Sequence, residues 1–397
     1  MASANKNNRQ LFIDEEAVSA LALLKAGLLA PCVKLMNEEE SLSVFKTGFI
    51  NKTRFPFPFV LAPSGKMNEI VLKESNAGDT IDLYCKKSYV GSIVVETVFK
   101  IDKNDRVKQI YGSDDKYHPG VQSTLKRLGS YAVSGEYEID TSKLERIKKR
   151  VVDAAEINCA KTISGIMLAA NPFHRAHERV IRQRLDKTDL LVIFLLKPFN
   201  SENLSYDLRY ETLNYFNKHF LPKNRVIIVE LEHTYLFAGY KEIIIDALVA
   251  KNFGCDSLLI GQTHAGMGMY YEQNSTNSLQ ELIKGIDINI DIAGKFVYCD
   301  ECKTLVSVKT CPHGTHHHIS YNSESILELI ELGIMPPAVL MRKEISSILL
   351  SRLHKDRFKN LDKMFQDVFP SSGLIENYSE EDFYNSLMKL YQTTSLT

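Results

Sequence analysis

The sequence predicts an α/β protein whose central domain is a doubly wound parallel sheet, with a mixed, strand-rich domain before it and a small helical region after it. Two observations carry the central prediction. Residues 163–169, 190–196, 225–231 and 257–260 are short and almost wholly apolar, the composition of strands buried on both faces. Between them lie helical patterns at 174–185, 206–218 and 240–252, the last ending at Gly254. Strand and helix alternating at this spacing form βαβ units.

The N-terminal part, to about residue 155, opens with an amphipathic helix at 15–25 (EEAVSALALLK), stopped by Ala26-Gly27. Apolar runs at 58–62, 80–84 and 89–98 recur between turn residues, which predicts a small barrel or folded sheet. A charged helix at 141–156 carries the chain into the central domain, taken as 156–320. From 321 to 397 amphipathic patterns at 325–332, 343–353 and 381–391 predict a helical region. There is no internal repeat and no low-complexity segment.

Length and composition narrow the function classes. A chain of 397 residues suggests two or three domains. Lys plus Arg number 48 against 49 for Asp plus Glu, so the basic excess of a dedicated nucleic-acid or membrane-surface binder is missing. No apolar run approaches the roughly 20 residues of a membrane span, and residues 1–10 are too polar for a signal peptide. Three of the seven Cys cluster at 299, 302 and 311. This usage predicts a reduced, cytoplasmic protein with a metal site, not a disulfide scaffold.

Three segments can carry chemistry. Leu168-Ala-Ala-Asn-Pro-Phe-His-Arg-Ala-His-Glu178 follows the first buried strand and opens a helix. Ligands of open parallel sheets bind at the carboxyl ends of strands, and a helix N-terminus there favours phosphate. His174 and His177 share one face of the first turn, where two imidazoles can hold a triphosphate and offset charge developing at its α-phosphate. The plain alternative is two histidines on an ordinary helix. The second segment, 258–268, follows another strand, and its glycines let a ligand approach the backbone. Alone it is no more than a Gly-rich turn. The third is Cys299-Asp-Glu-Cys302 with Cys311-Pro-His-Gly-Thr-His-His-His318, a spacing typical of structural zinc. Cys299, Cys302 and Cys311 are the clear ligands; His316 is the expected fourth, with His313 close behind and His317 and His318 also in reach. Lys197 and Arg209 are expected either near the phosphates or on a solvated face. Tyr270 and Tyr271 would line the acceptor pocket or simply pack. Asp300 and Glu301 read as solvated, and Cys32, Cys85, Cys159 and Cys255 as packed thiols.

Asn171-Pro-Phe-His-Arg-Ala-His177 resembles the N-P-x-H-x-x-H signature of ATP sulfurylases (sulfate adenylyltransferases), and His264-Ala-Gly266 matches the end of their G-R-D-H-A-G motif. Ala238-Gly-Tyr-Lys-Glu242, Ala250-Lys-Asn-Phe-Gly254, His118-Pro-Gly120, Leu196-Lys-Pro198 with Asp207-Leu-Arg209, and Met335-Pro-Pro337 are similar as well, in order, from about residue 15 to 350. The resemblance implies a PUA-like N-terminal domain, a nucleotidylyltransferase domain, and adenylyl transfer from MgATP to sulfate with release of pyrophosphate. It implies catalytic roles for His174, His177 and Asn171. Nucleotide contacts would come from these three with Lys197, Gly261, Gln262, His264, Ala265 and Gly266. It also implies a Cys3His zinc site as in bacterial members, and a homo-oligomer.

The departures fall on the acceptor side. Where the family reads Q-T-R before N-P, this chain has Leu168, Ala169 and Ala170; Gln262 and Thr263 replace the Arg and Asp of the second motif. The missing Gln and Arg are the family's sulfate-holding residues, and sulfate has no apolar part to recover that loss. The sequence therefore predicts a nucleotidylyltransferase with Mg2+, structural Zn2+ and a rebuilt acceptor site around Leu168, Ala170 and Gln262. The nucleotide is ATP or, given Gln262 and Thr263, another triphosphate such as CTP. A sulfate enzyme using other contacts and a non-catalytic nucleotide-binding scaffold remain the alternatives.

Overall fold

The computed structural model describes residues 9–199, 204–233, 238–267, 279, 281–369 and 378–391. The chain begins with strand β1 (Arg9–Phe12) and helices α1 (Glu15–Lys25) and α2 (Glu38–Thr47). Strands β2 (Phe49–Ile50), β3 (Thr53–Arg54) and β4 (Leu61–Pro63) follow, then helix α3 (Lys66–Glu74). Next come β5 (Thr80–Cys85), β6 (Ser88–Lys100), α4 (Lys103–Tyr111), α5 (Pro119–Arg127) and β7 (Leu128–Ile139). Five of these strands form one sheet in the order β1-β5-β6-β7-β4, with β1 parallel to β5 and the other pairs antiparallel. The facing strands approach closely at Gly91 and Gly135, where any Cβ would lie 1.9 Å from a carbonyl oxygen of the facing strand. Of the apolar run at 58–62, only Leu61 and Ala62 enter a strand; the prolines at 56 and 58 keep the preceding backbone out of the ladder.

Helix α6 (Ser142–Ile157) leads into the second sheet. Its strands β8 (Ile163–Leu168), β9 (Leu190–Pro198), β10 (Val226–His233), β11 (Ser257–Ile260) and β12 (Asn289–Ile292) alternate with α7 (Arg175–Leu185), α8 (Tyr206–Phe220) and α9 (Tyr240–Asn252). The strand order is β10-β9-β8-β11-β12, with β9, β8, β11 and β12 parallel in their pairings. Residues Leu190 through Leu195 are fully buried, as the unbroken apolar run requires. The order reverses between β8 and β11, which makes their carboxyl ends the switch point of a doubly wound sheet.

A three-stranded hairpin of β13 (Phe296–Cys299), β14 (Thr304–Ser307) and β15 (His318–Ser320) precedes the C-terminal helices α10 (Ser323–Glu331), α11 (Lys343–Leu353), α12 (Leu361–Val368) and α13 (Glu380–Tyr391). No helix among the described residues is long and apolar enough to cross a membrane. The chain divides into two compact units. One comprises Met1–Leu168, Thr188–Asn200 and Val229–Ala293; the other Ala169–Lys187, Ser201–Ile228 and Gly294–Thr397.

Candidate active site

In the second unit, the segment after β8 is braced before α7 begins. Ala170 takes a left-handed backbone (φ 51), a conformation unusual for a residue with a Cβ. Arg209, buried on α8, donates Nη1 to the Ala169 carbonyl (2.6 Å) and Nε to the Leu204 carbonyl (3.1 Å). The Asn171 side-chain oxygen accepts the Leu204 N–H at 3.3 Å. Arg209 is thus not on a solvated face; it holds the loop carrying Asn171.

His174 caps α7 in extended backbone, and its N–H donates to Nδ1 of His177 at 3.3 Å. The two rings stack with centroids 3.8 Å apart. Because Nδ1 of His177 accepts, its proton is assigned to Nε2. His174 Nε2 lies 3.2 Å from the Ser323 hydroxyl, while its Nδ1 is buried with no partner. With Ser323 donating, both imidazoles present one unused N–H. Burial, and after it the neighbouring His177, hold His174 well below the usual imidazole range. Burial pushes His177 down to about 4. Both rings are therefore neutral at neutral pH.

The floor under the pair is rigid. Phe173 is fully buried and packs on His177 and on Phe216, and Tyr321 stacks on His174 at 5.4 Å. Buried Glu178 is pinned by Arg342 (2.8 Å) and Arg175 (3.3 Å), and Arg175 Nε donates to the Ala338 carbonyl. Sequence reasoning missed Ser323, Tyr321 and Arg342, which approach only through the fold.

In the first unit, β11 runs into exposed Gly261, Gln262 and Thr263 and then a 3-10 turn, His264–Gly266, with Ala265 left-handed (φ 59). The Ala265 carbonyl accepts the Gly239 N–H at 3.0 Å. His264 Nε2 is 2.5 Å from the Asp246 carboxylate, and Glu242 accepts the Ala238 N–H at 2.9 Å. Glu242, Asp246 and His264 bring their ligand atoms within 4.8 Å, enough to hold a cation. Two acids four residues apart on an otherwise apolar helix were the available signal for this trio. Lys197 is ion-paired with Glu230 (3.0 Å), which Lys143 also reaches (2.6 Å). Burial alone would raise the Glu230 carboxyl, but these two bonds outweigh it and lower it. Leu168 and Ala170 are buried, at 7% and 1% exposure. Tyr270 and Tyr271 lie outside the described residues.

The cysteine cluster closes, with a different fourth partner. His313 Nδ1 lies 3.4, 3.2 and 3.7 Å from the sulfurs of Cys299, Cys302 and Cys311, and the last two sulfurs are 3.9 Å apart. A tetrahedron with zinc–sulfur bonds of about 2.3 Å and zinc–nitrogen of about 2.0 Å has edges of about 3.5 to 3.8 Å. The donor set therefore fits that ion. His316, the expected ligand, folds back over Gly314, where a Cβ would come within 2.7 Å of its ring, and packs beside His317. His318 instead touches Cys311 (3.3 Å). Asp300, read as solvated, pairs with His317 at 2.7 Å. Cys32, Cys85 and Cys255 are buried as expected, whereas Cys159 is exposed.

Comparison with known proteins gives a consistent set of relatives. The model of the ATP-sulfurylase family matches residues 143–352, and that of a PUA-like domain residues 1–141. A sulfate adenylyltransferase of Synechococcus sp. (strain JA-3-3Ab) is 28% identical over 362 residues, covering 87% of this chain and 89% of its own. One from Persephonella marina is 29% identical over 365 residues, covering 87% and 91%. A solved chain described as a hexameric APS kinase from Thiobacillus denitrificans superposes with a TM-score of 0.65 at 15% identity, over 89% of this chain and 64% of that one. This chain spans just under two thirds of that protein, and the likeness is one of fold.

Proposed function

Since the chain belongs to the ATP-sulfurylase family and the relatives it matches are nucleotidyltransferases, we propose that it transfers a nucleotidyl group, most simply the adenylyl group of ATP, to an anionic acceptor other than sulfate and releases pyrophosphate. The observation that carries this reading is the stacked pair His174 and His177 at the start of a helix, with His174 Nδ1 left without a partner. The acceptor oxygen attacks the α-phosphorus in line, and pyrophosphate leaves. His174 and His177 donate to the oxygens where negative charge grows, and Asn171 orients the phosphate. Their neutral rings suit the empty state; a triphosphate beside them would raise both pKa values toward the charged form. Lys197, Gly261, Gln262, His264, Ala265 and Gly266 are assigned to the nucleotide. Mg2+ bound with the triphosphate would supply charge neutralisation on the outer phosphates.

Leu168 and Ala170, with Gln262, are assigned to the acceptor. Their lack of charge supports a ligand unlike sulfate. Sulfate itself is the second reading, favoured by the name carried by the matched relatives. For the cluster of Cys299, Cys302, Cys311 and His313 we assign a structural zinc ion, which would cross-link the hairpin without an open coordination position. We keep three portions, 1–155, 156–320 and 321–397, a cytoplasmic location supported by the reduced cysteines, and a homo-oligomer, supported by the hexameric description of the fold neighbour.

The test is pyrophosphate release from ATP and from CTP, with sulfate and then with phosphorylated and carboxylated metabolites. Turnover with an acceptor other than sulfate is the expected result. Clear turnover with sulfate would overturn the acceptor assignment. Silence throughout, with nucleotide bound, would replace the transferase by a nucleotide-binding protein.

A further inference from the structure

Helix α9 buries every residue from Glu242 to Ala250. Two of them are acids, Glu242 and Asp246, four apart on one face and 2% and 1% exposed. Like charges at that spacing repel, and a carboxylate without a partner in such surroundings is costly. Glu242 is engaged at the start of the helix, where it accepts the Ala238 N–H at 2.9 Å. Asp246 meets the ring of His264: its carboxylate lies 2.5 Å from Nε2, with both side chains buried. All three residues belong to the first unit.

An ionised carboxylate only accepts, so the proton of this bond sits on His264 Nε2. The bond therefore selects one tautomer and one ring orientation. The backbone is held at the same place, since the Gly239 N–H donates to the Ala265 carbonyl at 3.0 Å. A buried ion pair adds little stability over apolar side chains of the same size, so packing alone does not account for one here. It stands beside the turn at the carboxyl end of β11, the edge of a parallel sheet where ligands bind. A carboxylate on one ring nitrogen is a recurrent way to fix how a histidine meets a ligand.

We propose that Asp246 is the positioning residue of the nucleotide site: it fixes the His264 ring, with the proton on Nε2, for contact with the nucleotide. Asp246 itself touches no nucleotide in this assignment. The assignment rests on the reading above through the contact between His264 and the nucleotide, and its test needs no turnover.

In the full chain carrying isotopically labelled histidine, the ring signals of His264 are identified by NMR from their loss in His264→Gln. In the unmodified protein Nε2 should be protonated in a single tautomer, a measurement that needs no variant to fold. Asp246→Ala, with its thermal midpoint checked, should exchange between tautomers, while Asp246→Asn, which keeps an acceptor oxygen, should retain the Nε2 proton. MgATP binding by equilibrium dialysis should weaken about tenfold in His264→Gln and in Asp246→Ala. The double variant should lose no more than either single one, because Asp246 acts through the ring. Asp246→Asn should recover most of the affinity. An unprotonated Nε2 in the unmodified chain, full affinity in either single variant, or losses that add in the double variant overturns the proposal. Saturable broadening of the His264 signals by Mn2+ in the nucleotide-free chain would make Glu242, Asp246 and His264 a cation site and overturn it as well. No pyrophosphate release with any acceptor, with the ring and binding results as expected, would remove the transfer reading and leave the positioning role.

Discussion

Replacing His177 by asparagine should flatten the acid limb of the stability curve. In the folded chain burial holds His177 near 4, while an unfolded histidine titrates near its ordinary value of about 6.5. Between those values the unfolded chain takes up a proton that the folded ring refuses. Stability is therefore complete above about pH 6.5, falls as the pH drops toward about 4, and levels off below. The gap of about 2.5 units at about 1.4 kcal/mol each gives about 3.4 kcal/mol as an upper figure, and solvent at the partly exposed ring reduces it to about 2 to 3 kcal/mol. Asparagine keeps an acceptor for the His174 N–H but does not titrate. It also removes the neighbour that helps depress His174, which acts in the same direction. Urea unfolding of both proteins is followed at steps from pH 7 to 4, where carboxylates titrate equally in each and cancel. The wild type should lose about 2 to 3 kcal/mol more than the variant over that range. Parallel curves would refute the claim that His177 is held neutral by burial.

Four further outcomes follow from the site. His174→Ala should lower kcat by about 100- to 1,000-fold and nucleotide affinity far less, and an equal loss in both would mean that the ring merely binds. Cys302→Ser and His313→Ala should each abolish metal content measured by elemental analysis, while His316→Ala retains it. Arg342→Met leaves buried Glu178 with Arg175 alone and should cost about 3 kcal/mol by calorimetry; an unchanged midpoint would mean the pair is dispensable. Leu168→Gln with Ala170→Arg should raise sulfate-dependent pyrophosphate release in a folded variant, and no gain would count against the argument from these two positions.

The central and C-terminal portions were legible because their periods are strong. Tyr240–Asn252, Ser257–Ile260 and Lys343–Leu353 begin and end where the pattern says. In the N-terminal part Glu15–Lys25 was equally clear, but β7 was lost because Gly129 and Gly135 look like breakers when they mark close strand approach. Helix α2 carried a readable signal, the reciprocal bonds of Asn37 and Glu40, that apolar patterning overlooks. His174 and His177 could be found from the chain alone, being local to one turn. Their supports could not: Ser323 is 149 residues from His174, and nothing in either neighbourhood announces the pairing. The choice between His313 and His316 turned on how the backbone bends at Gly314, which spacing does not encode.

Strand β15 has a consequence for anyone handling the protein. It runs from His318, beside Cys311, to Ser320, and the next three residues include Tyr321 and Ser323, the two that hold His174. The cysteine hairpin and the ring of His174, to which we assign a catalytic role, are thus joined by a few residues of continuous chain. A chelating buffer or an oxidised thiol would then imitate a lesion of the histidine itself, with the nucleotide segment unaltered. Preparations that differ in activity should be ranked by metal content before any residue is blamed.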